Sequence, residues 1–142
     1  MTKQNKIGVI VAARMGSSRL PGKALKILGG EPMILFLLQR LKASKQADQI
    51  VVATTEKQSD DILVDAISNF GLEVFRGDQD DVVARFVDAA DYFGFDQVVR
   101  ITGDCPFVDA ELLDFVLSSC GRAGAFDLAT TKGLFPVGLD FE

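Results

Sequence analysis

The amino-acid sequence predicts an α/β fold with a mostly parallel sheet, and three observations predict it. The run Ile7-Gly-Val-Ile-Val-Ala-Ala13 is continuously apolar, as a strand covered on both faces is. Short β-rich runs then alternate with segments whose apolar residues recur at helical spacing, four times in succession. No internal repeat, low-complexity tract or linker interrupts that alternation.

Ile7–Ala13 is the first strand and belongs in the middle of the sheet. After a glycine-rich loop, Met33, Ile34, Leu37, Leu38 and Leu41 form the apolar stripe of the first helix, with Gln39, Arg40 and Lys42 on its other side. Ile50–Thr54 is the second strand. Ser59-Asp-Asp61 supplies a cap and first-turn acids for a helix running through Asn69, which Gly71 ends. Leu72–Phe75 is the third strand, and Val82, Val83, Phe86, Ala90 and Phe93 are the buried stripe of the third helix, with Asp80 and Asp81 as acids at its start. Val98–Thr102 is the fourth strand, Asp109 caps a helix over Ala110–Ser119, and Phe126–Thr130 is a further strand. With right-handed crossovers, ligands bind such sheets beyond the carboxyl ends of the strands. The loops Arg14–Lys23 and Gly103–Phe107 both fall there.

Composition narrows the chemistry. The 142 residues contain no histidine, which excludes Ser-His-Asp triads, Cys-His pairs and His-ligated catalytic zinc. Cys105 and Cys120 match no common zinc spacing and are read as reduced thiols. The longest apolar runs fall far short of a bilayer span, and the polar N-terminus is followed by no signal-peptide pattern, so the expected location is cytoplasmic, with no membrane partner.

The net charge of −5 hides an uneven distribution. Residues 1–45 hold nine Lys and Arg against Glu31 alone, a balance of +8, whereas residues 46–142 carry −13. An anion site in the first third follows from this, and the acidic remainder argues against nucleic acid.

The cations concentrate in the loop after the first strand, where Arg14, Arg19 and Lys23 stand among Gly16, Ser17, Ser18 and Gly22. This is not a P-loop: five residues separate Gly16 from Gly22, and Ala24 stands where a hydroxyl would hold magnesium. The Gly-x-Gly-x-x-Gly dinucleotide fingerprint is also missing. What remains can converge on a polyphosphate from several sides, with arginine forks, a lysine point charge and a backbone nest around Gly16-Ser17-Ser18.

Two stretches, Ala12-Ala-Arg-Met-Gly-Ser-Ser-Arg-Leu-Pro-Gly-Lys-Ala-Leu25 and Arg100-Ile-Thr-Gly-Asp-Cys-Pro-Phe-Val-Asp109, resemble the cytidylyltransferases that activate acidic sugars, the CMP-Kdo and CMP-sialic acid synthetases among them. Phe75-Arg-Gly-Asp-Gln-Asp-Asp-Val-Val-Ala-Arg-Phe86 resembles the spore coat polysaccharide biosynthesis branch in particular. The resemblance covers nearly the whole chain, with three motifs in order. It implies a Rossmann-like three-layer α/β/α nucleotidyltransferase fold, one domain over residues 1–142, and a chain that is the N-terminal part of a longer protein.

The implied reaction is attack of a sugar hydroxyl on the α-phosphorus of CTP with Mg2+, releasing pyrophosphate, for surface polysaccharide. The Ala12 and Ala13 backbone would then lie near the base, and Arg14 and Lys23 would hold the phosphates, with Gly16, Ser17 and Arg19 in the same motif. Gly77 and Arg85 match a segment near the nucleotide. Asp104, beside Gly103 in the Gly-Asp-x-Pro motif, matches the magnesium ligand, which makes Arg14, Lys23 and Asp104 the expected catalytic set. Asp140 and Glu142 would open the sugar-binding part, and a homodimer is the assembly the resemblance implies. Two other functions stay open at this point: transfer of another nucleotide, such as guanylyl, and a non-catalytic nucleotide-binding remnant.

Overall fold

A computed structural model describes residues 5–142. In chain order the elements are β1 (Ile7–Ala12), a small hairpin of β2 (Ile27–Leu28) and β3 (Glu31–Pro32), α1 (Met33–Leu41), β4 (Gln49–Thr55), α2 (Asp61–Asn69), β5 (Glu73–Gly77), α3 (Val82–Phe93), β6 (Gln97–Thr102) and α4 (Ala110–Ala123). Four strands form one all-parallel sheet in the order β5-β4-β1-β6. The chain moves outward from β1 through β4 to β5, then returns past β1 to β6. The order therefore reverses between β1 and β6, the place where open α/β sheets bind ligands.

Strand alternation sorts the core into two layers. Val9 and Val11 of β1, with Val52, Val99 and Ile101, face α1, α2 and α4, whose Ile34, Leu37, Leu38, Leu41, Leu63, Ile67 and Leu113 complete the larger cluster. Ile10, with Val51 and Ala53, faces the opposite side, where Phe86 and Ala89 of α3 cover the sheet. β1 is thus buried on both faces, which is why its sequence reads as unbroken apolar residues. Leu37 has no exposed surface, and Leu37→Ala is expected to lower unfolding free energy by about 2–5 kcal/mol in a urea titration.

Several expectations need correction. Val82 and Val83 are exposed, and the buried stripe of α3 is Phe86, Ala89, Ala90 and Phe93 with Arg85 beside it. The helix starts at Val82, so its first turn overhangs the sheet end instead of packing on it. Asp81 is the cap itself, accepting from the Ala84 amide at 2.8 Å. Ser59-Asp60-Asp61 does not cap α2, because a short 3-10 turn over Gln58–Asp60 precedes the helix and Asp60 makes no capping bond.

Phe126–Thr130 is not a strand. Beyond α4, which runs to Ala123, it is Glu142 that meets the outer edge of β6, by reciprocal backbone bonds with Arg100 of 2.6 and 3.2 Å. That reciprocity is the mark of an antiparallel pair. The segment 126–130 packs outside the sheet, with Phe126 and Leu128 exposed. The β2–β3 hairpin was not expected either; Gly29 and Gly30 both have positive φ, the geometry a two-residue hairpin turn requires.

Candidate functional site

In the register of the sheet Ala12 lies beside Thr102, so the loops leaving β1 and β6 emerge side by side. The Gly103 amide donates to the Ala12 carbonyl at 2.8 Å. A Cβ on Gly103 would come within 3.1 Å of that carbonyl oxygen and 3.2 Å of the Ala13 Cβ, so the close approach of the two loops requires glycine here.

The first loop is closed at its mouth by Met15. The Met15 carbonyl accepts from the Gly22 amide at 2.9 Å, and the Met15 amide donates to Asp60 Oδ1 at 2.8 Å. A 3-10 turn over Lys23–Leu25 follows, and it aims Lys23 across the cleft. Lys23 Nζ donates to Asp104 Oδ2 at 2.5 Å, joining residues 81 positions apart.

Between the loops lies a cleft of about 280 Å3. Of the residues singled out in the sequence, Ala12, Ala13, Arg14, Gly16, Ser17, Arg19, Lys23, Arg85, Gly103 and Asp104 all line it. Gly77 does not; it ends β5 with its Cα face against the Arg85 stem, 3.1 Å from Cγ for an added Cβ. Ser18, named in the sequence only for its backbone, also lines the cleft, as do Ala24, Val82 and Thr102, which had not been singled out as site residues. Asp140 and Glu142 stand apart from it, in a smaller polar recess with Arg100, Lys132 and Thr102, and Thr102 borders both cavities.

The charge of the cleft is lopsided. Arg14, Arg19, Lys23 and Arg85 face it against the single carboxylate of Asp104. Arg85 is only 4% exposed; one terminal nitrogen donates to the Asp78 carbonyl at 2.8 Å, while its buried Nε has no partner among the described residues. Burial lowers its pKa, as does the nearby Arg14 cation, and the charges of Asp60 and Asp78 partly offset both. Asp78 is itself held below the usual carboxyl range by the Asp81 and Asp80 amides.

The buried acid the sequence reading missed as a site residue is Asp60, 1% exposed. Burial alone would raise its pKa, but bonds from the Thr55 hydroxyl, the Met15 amide, the Thr54 hydroxyl and the Thr55 amide together hold it below 3.8. The folded protein thus binds this proton less tightly than the unfolded chain. Asp60 contributes stability at neutral pH, and the contribution is lost as pH falls from 3.8 through the lowered folded value. The two hydroxyls that end β4, those of Thr54 and Thr55, were its only signal in the sequence.

The metal expectation passes a test of chemistry. Among the described residues no three acids, cysteines or histidines gather to form a closed metal cage. Asp104 offers a half-exposed carboxylate that already draws a cation, Lys23, to the cleft side. One carboxylate with phosphate oxygens and waters is a donor set that suits Mg2+.

Comparisons with known proteins agree with this architecture. The chain is 42% identical over 119 residues to the spore coat polysaccharide biosynthesis protein SpsF of Bacillus subtilis, covering 81% of this chain and 50% of that one. The structure of a cytidylyltransferase from Leptospira borgpetersenii superposes with a TM-score of 0.90 at 38% identity, over 97% of this chain and 59% of the other. A CMP-2-keto-3-deoxy-manno-octonic acid synthetase complexed with CTP superposes with a TM-score of 0.74 at 26% identity, over 85% and 49%. The chain spans about half the length of the curated relatives it matches. Among the described residues no helix is long and apolar enough to cross a membrane. The family model for cytidylyltransferases matches residues 8–133, from the first strand past the last helix, and the chain belongs to the cytidylyltransferase family.

Proposed function

We propose that the protein transfers a cytidylyl group from CTP to a hydroxyl of an acidic sugar, releasing pyrophosphate, in the making of a surface polysaccharide. The observation that carries this reading is the cleft at the reversal of strand order, where four cations face one carboxylate. That imbalance suits a triphosphate, and family membership supports CTP as its source.

In this reading the base lies against the Ala12 and Ala13 backbone, and Arg14, Lys23 and Arg85 hold the phosphate oxygens. Arg85 brings a planar guanidinium and Lys23 a compact point charge to the lining of the cleft. Lys23, paired with Asp104, would turn to an entering triphosphate, and Asp104 is the residue that would hold Mg2+. Bound there, Mg2+ would supply Lewis-acid polarisation of the phosphoryl oxygens. The sugar enters from the recess of Lys132 and Asp140, beyond Thr102. Its oxygen bonds to the α-phosphorus as the bond to the β-phosphate oxygen breaks, and the hydroxyl proton leaves to solvent. Arg14 and Lys23 offset the charge that passes to pyrophosphate, so the protein's task is alignment and charge compensation rather than covalent catalysis. In this reading the protein works in the cytoplasm, where CTP is supplied.

Incubation with Mg2+, one nucleoside triphosphate at a time and a panel of acidic sugars tests this by pyrophosphate release. Release with CTP and an acidic sugar is expected, with GTP, ATP and UTP at background. Turnover with GTP alone would replace the reading with guanylyl transfer, and tight CTP binding without turnover on any sugar would leave a nucleotide-binding protein.

A further inference from the structure

Asp60 is a carboxylate with almost no exposed surface and, among the described residues, no ion pair. Such a group is costly to bury unless its lone pairs are filled. Its two oxygens divide the work. Oδ2 accepts from the Thr54 hydroxyl at 3.0 Å, the Thr55 amide at 3.2 Å and the Thr55 hydroxyl at 2.5 Å, all within six residues, and these bonds close the turn from β4 into α2. Oδ1 accepts one bond, from the Met15 amide 45 residues away. A local turn needs only the first set.

Among the described residues that single bond is the only hydrogen bond linking residues 14–21 to an element outside the loop and its closing turn. Met15 sits between Arg14 and the loop, and its carbonyl receives the Gly22 amide just before Lys23. Fixing Met15 therefore fixes both ends of the loop. We propose that Asp60 is a positioning residue for triphosphate binding: by holding the Met15 amide it sets where Arg14 and Lys23 stand over the cleft. The proposal rests on the cleft being a nucleotide site.

Asp60→Ala separates this role from a purely structural one. Asparagine would not, because its one oxygen can stay on the Met15 amide while its NH2 donates to the threonine hydroxyls; alanine removes the acceptor of the Met15 amide outright. The expected result in calorimetry is CTP affinity reduced at least 10-fold, with affinity for cytidine, which has no phosphate, changed less than about 2-fold. Thr55→Val is the control: it removes a local bond without touching Met15, so it lowers thermal stability while CTP affinity stays within about 2-fold.

Equal losses for CTP and cytidine, or CTP losses that track stability in both variants, would overturn the proposal. Should Asp60→Ala fail to fold, amide hydrogen exchange on the unaltered protein decides instead. Met15 and Gly22 amides are expected to be protected together, and exchange of Met15 at the rate of an open loop would overturn the proposal. If the unaltered protein fails to bind CTP, the nucleotide reading falls; if it binds CTP and Asp60→Ala binds equally well, only the role of Asp60 falls.

Discussion

If the protein carries out the proposed cytidylyl transfer, Lys23→Met is expected to lower it by about 10²–10³-fold while barely moving the melting temperature. The two halves of that expectation come from different features of the same side chain. Lys23 is held by the 3-10 turn at the exit of the first loop, where its ammonium is the cation poised directly opposite Asp104. In the proposed reaction the charge passing to pyrophosphate would be offset there, in a cleft walled by protein, so removal of the ammonium would be felt mainly in the transition state. Methionine keeps the length and packing of the stem and removes only the charge. The ion pair it breaks is partly exposed at both ends, 26% for Lys23 and 52% for Asp104, and pairs of that kind contribute about 0–1 kcal/mol to stability. Steady-state kinetics alongside a thermal melt tests both halves. A drop in activity matched by a large drop in melting temperature would assign Lys23 to folding instead.

For the same proposed reaction, Asp104→Asn is expected to give a comparable loss of turnover, about 10²–10³-fold, with a different signature in binding. Asparagine has nearly the same shape and still accepts a bond from Lys23, but it is a poor ligand for a hard divalent ion. It also removes the only carboxylate among the residues lining a cleft that holds four cations. CTP affinity in the presence of a chelator should therefore stay the same or rise, while the gain on adding Mg2+ disappears. Calorimetric titration with and without Mg2+ reads both quantities. Weaker metal-free binding, or an intact Mg2+ effect, would contradict the assignment of Asp104 as metal ligand.

The elements that were legible in the sequence are those buried on one or both sides of the sheet. Ile7–Ala12 reads as a central strand because Val9, Ile10 and Val11 have no exposed surface, and α1 reads as a helix because Ile34, Leu37, Leu38 and Leu41 are all buried. Asp109 was legible as a cap, since its side chain accepts from the Leu112 amide at 2.9 Å as the local pattern suggests. Where local pattern and tertiary placement diverge, the sequence misleads. Val82 and Val83 fit an apolar stripe but overhang the sheet end, and Phe126–Thr130 carries strand-like residues while Glu142 takes the strand edge.

The candidate site was legible as two motifs but not as one cleft. Arg14, Lys23 and Asp104 stand out by residue type and by their place after apolar strands. That the two loops meet follows from the pairing of Ala12 with Thr102 and from Gly103, which lets the backbones approach. Asp60 was read as part of a helix cap because Ser-Asp-Asp before an apolar run is what caps look like. Its inward turn depends on Met15, 45 residues away, and no local pattern carries that distance.

The central claim is that the loops leaving β1 and β6 hold one metal-bridged triphosphate between them. Paramagnetic broadening by Mn2+ in the presence of CTP, followed residue by residue in the amide spectrum, tests it most directly. The amides of Gly103, Asp104 and residues 14–20, 22 and 23 are expected to broaden together, along with the phosphorus signals of bound CTP. Broadening that reaches only one of the two loops, or that centres on another face of the protein, would contradict it.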